Sequence, residues 1–553
     1  MAYLVVKKVK GIDYWTLVES KRINGKPRQV ILEYIGNKAK LSEFLCKALE
    51  AMKLSGLEHV SLKSYQHGAS YALMQMAGAI GLEDMLDKNM PDRSRDGVKR
   101  STSLILAAIH RAISPGSKNA FQDWFRTTTL PHSLNINPKV MTSQHFWDQM
   151  DDISELELRQ TEDRISGYLL ERYRVPLDKI ALDYTNYFTY IASDNKKSTI
   201  AKRGRNKQKR HDLRQCSLAI ITTKDFGIPL FSHVYEGNCN DLTEFPVYVK
   251  LLKERIPSYD PRKITLVFDG GSNTKDNLDK LETHYICAFS LSYSKELYDI
   301  DKTEYEEITF ENKTETVYRT RRTVWGKQRE FILMLSASLL KGQLAELDKD
   351  ILGACEKLSD LNARILNPRS RIRREADGVQ KQIDGILKRS HLKEVIRVSV
   401  HPNGIVYYID EEKKADIANR YFGKKLIMTD HAEWTTREIL TAYNEQDCIE
   451  KIFRDTKDTE HFSMRPLYHW TDQKIRVHIF ICLLGLTLTT LLKMELEACG
   501  NKHSKDKILD ILSGVRECWV NTGLDGKNSV IRKIEEMDAE QSDMMALISS
   551  LRS

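Results

Sequence analysis

The sequence has little that would tie it to an oxidising compartment or to a membrane. Its nine cysteines are odd in number and scattered, and no two form a Cys-x-x-Cys pair, so neither a disulfide framework nor a cysteine zinc site is indicated. The first ten residues have only a short apolar run, which is not typical of a secretory signal peptide. The longest apolar run, residues 479–492, is too short to span a bilayer and predicts a buried helix. We therefore expect a protein of the reducing cytoplasm with no membrane partner.

Basic residues are concentrated in three runs rather than spread evenly. Residues 201–215 carry a net charge of +6, and residues 319–329 and 364–374 carry +5 each, although the whole chain carries only +8. A solvated surface face explains any one such run. Three runs in a chain whose remainder is acidic favour a polyanion as the partner.

Hydrophobic periodicity divides the chain into stretches of different type. Short alternating runs with turn signals predict a β-meander, and three- and four-residue spacing predicts a helical region after it. Strand–helix alternation then predicts a mixed α/β core that is interrupted by an insertion of β-rich and charged helical sequence. The expected fold is multidomain α+β. Its predicted parts are a meander at 1–40, a helical region at 41–173, the core at 174–295 and 431–497, the insertion at 296–430 and a helical C-terminal region at 498–553.

Two aspartates lie in or directly after apolar strands. Asp183 lies within "KIALDYTNY", and Asp269 follows "ITLVF" and precedes two glycines. An unpaired carboxylate buried at either place would be costly, and a bound Mg²⁺ would remove that cost because it prefers oxygen ligands. For each aspartate alone, a turn or capping role is the simpler interpretation.

A third acid lies on a predicted helix from about Thr435 to Thr456. Five of its polar residues recur at offsets of 0, 3, 7, 11 and 14, which places them on one helical stripe. A solvated face with Glu450–Arg454 pairing explains the charges, but it does not explain the aligned tyrosine. The five residues are Tyr443, Gln446, Glu450, Arg454 and Lys457.

This stripe resembles a known signature. Tyr443-x2-Gln446-x3-Glu450-x6-Lys457 is similar to the Tyr-x2-Arg-x3-Glu-x6-Lys motif of DDE-type insertion-sequence transposases of bacteria and archaea, in the branch that cuts and pastes through hairpins. Residues 204–241, "FDGGSNTKDNL", and "IEKIFRDTK" with the segment after it also resemble that family, as does the opening meander. The resemblance covers most of the chain and is weakest in 300–430 and after 500.

The resemblance implies a ribonuclease-H-like core in which Asp183, Asp269 and Glu450 are catalytic and bind two Mg²⁺ ions, for which Mn²⁺ can substitute. Two-metal phosphoryl transfer would cleave DNA at terminal inverted repeats and join the 3′-OH ends to target DNA, directly or through a hairpin. The resemblance further implies a homodimer that holds two transposon ends in a synaptic complex. Its expected location is the prokaryotic cytoplasm, associated with the nucleoid.

The family also implies contacts with double-stranded DNA. Gln446 stands where the family has arginine, and we expect Arg454 to take over that phosphate contact. The meander and the helical region are expected to bind the inverted repeats. Trp325 is either a core side chain or a base-stacking residue of the insertion. The residues predicted to contact DNA are Tyr443, Lys457, Arg454, Gln446, Lys207, Lys209, Arg210, Arg321, Arg322 and Trp325.

Two other functions share these features. A transposase-derived protein that binds DNA without cutting it would keep the basic runs, but it would have no reason to keep the three acids. Another two-metal DNA nuclease on the same core would keep the acids, but the long insertion and the stripe favour the transposase. Metal-dependent cleavage of DNA that carries inverted repeats distinguishes the three.

The presence of Gln446 in place of the family arginine leads to a prediction about two substitutions. Arg454→Ala is expected to weaken DNA cleavage strongly, because a guanidinium that binds phosphate is lost, whereas Gln446→Ala is expected to have the smaller effect. Cleavage rates on the same DNA measure both. If Arg454→Ala cuts like the parent and Gln446→Ala is inactive, the assignment is wrong.

Overall fold

The computed structural model describes residues 2–551 apart from 24–25, 55–60, 93–96, 207–209, 225, 257–258, 311–312, 371–374, 390, 446, 459, 466 and 522–529. The described residues form a mixed α+β structure with a large mixed sheet and many helices. The hairpin turn predicted at Asn24-Gly25 lies outside the described residues.

The strands are β1 (Ala2–Val9), β2 (Ile12–Ile23), β3 (Lys26–Gly36), β4 (Ser61–Gln66), β5 (Lys179–Thr189), β6 (Arg214–Thr223), β7 (Pro229–Glu236), β8 (Thr265–Phe268), β9 (His284–Phe289), β10 (Glu306–Phe310), β11 (Lys313–Val324), β12 (Lys327–Leu335), β13 (Ile396–His401), β14 (Gly404–Ile409), β15 (Lys424–Thr429), β16 (Arg516–Asn521) and β17 (Val530–Ile534).

The helices are α1 (Lys38–Leu54), α2 (Gly68–Ala79), α3 (Leu82–Asn89), α4 (Arg100–Ile113), α5 (Lys118–Thr127), α6 (Leu130–Ser133), α7 (Ser143–Met150), α8 (Glu155–Arg172), α9 (Asp241–Arg255), α10 (Lys275–Lys280), α11 (Ala337–Leu366), α12 (Ala376–Ile386), α13 (Leu392–Val395), α14 (Glu411–Tyr421), α15 (Thr436–Asn444), α16 (Asp447–Asp455), α17 (Asp472–Ala498), α18 (Lys505–Ser513) and α19 (Ala539–Ser550).

The central sheet has nine strands in the order β10-β11-β12-β15-β9-β8-β5-β6-β7. Strand β8 pairs in parallel with β5 on one side and with β9 on the other, and the other neighbouring strands are antiparallel. All four residues of β8 are buried, which is expected of a central parallel strand covered on both faces.

The predicted insertion at 296–430 is divided between two environments. Its strands β10, β11 and β12 extend the central sheet, because the buried apolar strand β12 pairs with β15. Most of the remainder, from α11 to α14, has an apolar core of its own, which includes Ile351, Leu358 and Ile383. Within the predicted insertion, only the later part, from α11 to α14, therefore has the separate core that an inserted domain would have.

The C-terminal region at 498–553 is not purely helical, which corrects the sequence prediction. Strands β16 and β17 form a three-stranded sheet with β4, in the order β17-β16-β4. The stretch "RECWVN" contains valine, tryptophan and cysteine, and these residues favour a pleated surface once a partner strand is present. Local helical periodicity did not reveal that partner, because β4 is more than 400 residues away.

The predicted buried helix is confirmed as α17. Among the described residues, this one helix is long and apolar enough to cross a membrane, yet 94% of its most apolar stretch is buried inside the protein. It packs closely against α4, where a Cβ atom built on Gly485 would lie 2.4 Å from the carbonyl oxygen of Ala108. Glycine at this position therefore permits the two helices to approach.

The predicted helix from Thr435 to Thr456 is divided into α15 and α16. Helix α15 ends at Asn444, and the backbone N–H of the following Glu445 donates to carbonyl oxygens of the last turn. Residue 446 lies outside the described residues. Tyr443 belongs to α15, and Glu450 and Arg454 belong to α16. Lys457 follows the end of α16, so no single helix in the described part of the chain carries the predicted stripe.

The close approach of α17 to α4 predicts that alanine substitutions at two glycines have opposite effects on the free energy of unfolding. Gly485→Ala is expected to lower the free energy of unfolding by about 1–3 kcal/mol, because the new methyl group overpacks a backbone contact. Gly342→Ala in α11 meets open space and is expected to raise it by about 0.4–1 kcal/mol. Urea unfolding measures both. An unchanged midpoint for Gly485→Ala would contradict the packing described here.

Candidate active site

A cavity of about 610 Å³ opens where the ends of several elements meet. Acidic and basic side chains share its wall. The lining residues are Asp183, Tyr184, Thr185, Asn186, Asp241, Asp269, Gly271, Lys425, Tyr443, Glu450, Phe453, Arg454 and Lys457. The three acids predicted from widely separated parts of the sequence thus line one cavity.

Strand pairing places the two aspartates side by side. Leu182 of β5 pairs with Phe268 of β8. Asp183 is the residue after Leu182 in β5, and Asp269 is the residue directly after the end of β8. Asp183 is half-buried and its Oδ1 accepts a hydrogen bond of 2.7 Å from the backbone N–H of Tyr184. Asp269 is exposed and its Oδ1 accepts one of 2.6 Å from the N–H of Gly270. Both acids border an open cavity, so the full cost of a buried unpaired carboxylate does not apply to them.

Helix α16 brings the third acid to the cavity. Ile449, Ile452 and Phe453 are buried and hold the helix against the sheet, while Glu450 is exposed. Just after the helix, the hydroxyl groups of Thr456 and Tyr187 lie 2.5 Å apart, which anchors the end of α16 to β5. Apolar residues on one side of the helix thus fix the direction in which Glu450 faces.

Three cations and a phenol complete the wall. The Lys457 ammonium donates to the hydroxyl of Thr185 in β5, and the exposed Arg454 side chain comes from α16. The Lys425 ammonium lies 4.5 Å from the ring centroid of the buried Tyr443. These positive groups offset the repulsion among the carboxylates and could bind phosphate oxygens.

Two charged lining residues were not predicted as site residues. Asp241, the first residue of α9, accepts a hydrogen bond of 2.9 Å from the hydroxyl of Tyr235. Burial and the Asp241 carboxylate raise the pKa of Tyr235, so this tyrosine remains a donor. The only sequence signal for Asp241 was its position at the end of residues 204–241, the segment that resembles the family. Lys425 had no signal, because only the sheet order brings β15 to this position.

The other predicted DNA contacts that the structure describes lie outside this cavity. Arg210 makes a two-pronged ion pair with Asp212, Arg321 pairs with Glu330, and Arg322 pairs with Glu296. Each of these cations therefore has a carboxylate partner within the chain. Lys207, Lys209 and Gln446 lie outside the described residues.

Trp325 occupies the tight turn between β11 and β12. Its φ of 52° and that of Gly326, 78°, are both positive, as a two-residue hairpin turn of type I′ requires. The ring is half-buried and packs edge-on against Phe289, with centroids 5.5 Å apart. The core and base-stacking interpretations of this side chain both remain predictions.

The ligand chemistry of the cavity suits hard divalent cations. Asp183, Asp241, Asp269 and Glu450 offer only oxygen atoms, which Mg²⁺ and Mn²⁺ prefer. Within the part of the chain that the structure describes, neither histidine nor cysteine lines this cavity.

A second group of potential ligands lies at the other end of β8. His284, Asp430 and His431 have ligand atoms within 4.8 Å of one another. Their polar atoms already bond to the protein, since Asp430 bonds to His284 and His431 bonds to Thr265. Burial lowers the pKa of His431 to about 4, which keeps its ring neutral. These bonds account for the group as a structural cluster.

Comparisons with known proteins add little. No family model matches the chain, and no curated protein matches it. Among solved structures, the chain is similar to a piggyBac transposase synaptic complex with hairpin DNA, with a TM-score of 0.32 and 9% sequence identity over 80% of this chain and 78% of that chain. Similarity this low carries no inference about function, which depends on the residues of the cavity.

The acidic wall predicts stabilisation by a divalent cation. Mg²⁺ is expected to raise the thermal unfolding midpoint, because an ion bound only by the folded chain contributes about 2.7 kcal/mol at one hundred times its Kd. Asp269→Asn should remove most of this shift. Asp276→Asn, an exposed acid of α10, is the control and should retain it. Equal shifts in both variants would place the ion elsewhere.

Proposed function

We propose that the chain is a DDE-type transposase of an insertion sequence. In this proposal it binds the terminal inverted repeats, cleaves the DNA there and joins the freed 3′-OH ends to target DNA, directly or through a hairpin intermediate. The partners are double-stranded DNA and a second copy of the chain in a synaptic complex in the prokaryotic cytoplasm.

One observation carries the proposal. Asp183, Asp269 and Glu450 come from two neighbouring strands and one helix, and they line one cavity together with Tyr443, Arg454 and Lys457. A solvated helix face would not place its tyrosine, glutamate and cations opposite two strand-end aspartates. The arrangement agrees with the roles that the sequence resemblance implies.

The residues present suit two Mg²⁺ or Mn²⁺ ions, which Asp183, Asp269 and Glu450 would hold, and Asp241 lines the same cavity. Bound there, the ions would activate the attacking oxygen and stabilise the leaving oxygen of phosphoryl transfer. No protein nucleophile is needed for this chemistry.

The chain's own side chains would position the DNA. Lys457 is held by Thr185, so its ammonium is fixed two residues along β5 from Asp183 and can bind a phosphate next to the scissile bond. Arg454 has a guanidinium that can contact two phosphate oxygens at once. Tyr443 and Lys425 would border the strand on the other side.

Cleavage of the DNA that flanks the reading frame tests the proposal. The full-length protein with Mg²⁺ or Mn²⁺ is expected to nick or cut that DNA at inverted repeats. Asp183→Asn and Glu450→Gln should lower the rate at least a hundredfold, because each removes a charged metal ligand. Asp178→Asn, an exposed acid just before the same strand, is the control and should cut normally.

Two results would contradict the proposal. Binding of the repeats without cleavage in either metal would favour the transposase-derived DNA-binding protein. Cleavage without any joining of ends to a target plasmid, under conditions in which both repeats are bound, would favour another two-metal nuclease.

A further inference from the structure

A second cavity, of about 200 Å³, lies between the helical region and the segment 468–481. Five basic side chains line it, and no carboxylate does among the described residues. The basic residues are His110, Arg111, Lys118, His469 and His478. Burial lowers the pKa of each of the three histidines, so their rings are neutral. Within the described chain, the two cations, Arg111 and Lys118, have no carboxylate beside them in the cavity, which is costly in a partly buried place.

Neither cation of this cavity is neutralised by the protein. Arg111 is buried and donates to the carbonyl oxygens of Gly116, at 2.7 Å, and of Arg465, at 2.9 Å. The Lys118 ammonium donates to His469 Nε2 at 2.6 Å and lies 5.1 Å from the Trp147 ring centroid. In the part of the chain that the structure describes, neither residue has an ion-pair partner.

The electrostatics of the cavity already disfavour a charged lysine. Burial first, and then the Arg111 guanidinium, lower the pKa of Lys118 to about 7. An anion in the cavity would reverse this effect, because it would stabilise the protonated ammonium.

Two helices point their amino ends at the cavity. Ser117, Lys118 and Asn119 are the cap and first residues of α5, and Ser143 is the first residue of α7. The first N–H groups of a helix have no partner within it, and the helix dipole makes this end positive. Anions bind at such ends.

A buried donor without a partner points independently to a ligand. When Lys118 is protonated its ammonium can only donate, so His469 Nε2 then accepts and the ring proton is on Nδ1. His469 is 4% exposed, its ring lines the cavity, and its Nδ1 has no hydrogen-bond partner among the described residues. Buried polar atoms are normally paired, so this donor lacks the acceptor that an anion would supply.

The cavity reaches the surface beside the strand that carries Asp183. Tyr468, at its rim, is 55% exposed, and Ser117 and Asn119 are exposed as well. Leu467 forms a bridge with Thr189, the last residue of β5. Six residues of strand separate Thr189 from Asp183, which is ~20 Å, or about six phosphates along one DNA strand.

We propose that this cavity binds one phosphate group of the DNA, roughly six nucleotides from the site of cleavage. The donors are the Lys118 ammonium, His469 Nδ1 and the first amides of α5 and α7. The cavity thereby anchors the strand at a distance from the acids and contributes affinity without reading sequence. This inference rests on the proposed function for its ligand.

The salt dependence of DNA binding tests it. The probe is the duplex of the flanking DNA, bound by the full-length protein with Ca²⁺ in place of Mg²⁺. Lys118→Met is expected to make the slope of log Kd against log salt less steep by about 0.9 and to weaken binding roughly tenfold at 0.1 M salt. Lys118→Arg should behave like the parent.

A second variant and a control distinguish the loss of a phosphate contact from unfolding of the protein. Asn119→Asp adds a negative charge at the exposed rim, where an acid favours the start of α5, so it should weaken DNA binding without lowering the unfolding midpoint. Lys357→Met removes an exposed charge of α11, outside the cavity and outside the regions expected to bind DNA, and it should leave the slope unchanged.

The outcomes separate the sources of phosphate. An unchanged slope in Lys118→Met overturns the inference. If inorganic phosphate then still raises the unfolding midpoint of the parent but not of Lys118→Met, the cavity takes a free anion instead of DNA. If the parent protein binds no duplex, both the proposed function and this inference are overturned. If the parent binds and cuts the duplex and Lys118→Met binds and cuts it equally well, only this inference is overturned.

Discussion

The parallel pairing of β5 with β8 is the constraint on which the rest of the candidate site depends. The register joins Leu182 to Phe268, so the next residue of each chain segment is an aspartate at the same level of the sheet. A slip of one residue would turn one carboxylate to the opposite face. The buried apolar residues of β8 prevent such a slip, because they would lose their packing on both sides.

The remaining groups of the cavity are held by packing rather than by their own charges. Helix α16 is fixed through its buried isoleucines and through Thr456, and β15 carries Lys425 in from the far side of the sheet. Carboxylates and cations therefore line one open cavity together. Both kinds of group are accessible there to a metal ion or a phosphate.

Features that depend on residues close together in the chain could be predicted from the sequence, and features that depend on distant residues could not. Asp183 and Asp269 were visible because each interrupts or follows an apolar strand, and Glu450 because its stripe has helical spacing. The division of that helix after Asn444 was not visible, since no proline or glycine marks it. The joining of β10–β12 to the central sheet was missed for another reason: it depends on pairing between β12 and β15, about 100 residues apart.

The phosphate cavity was hidden from sequence reasoning in the same way. Arg111 and Lys118 come from the middle of the helical region, and His469 and His478 come from a segment some 350 residues later. None of the three basic runs contributes to it. Several arginines of those runs pair with nearby acids instead, so local charge density was a poor guide to where uncompensated charge lies.

The small sheet of β4, β16 and β17 has a consequence for how the protein is made. Strand β4 leaves the ribosome early, but its partner β16 is translated about 450 residues later, which takes roughly 25–90 s at about 5–20 residues per second. During that interval the edge of β4 stays without its partner strand. The helical region can therefore reach its final form only when synthesis is nearly finished, and chains cut short would expose an unpaired strand edge, a site of aggregation.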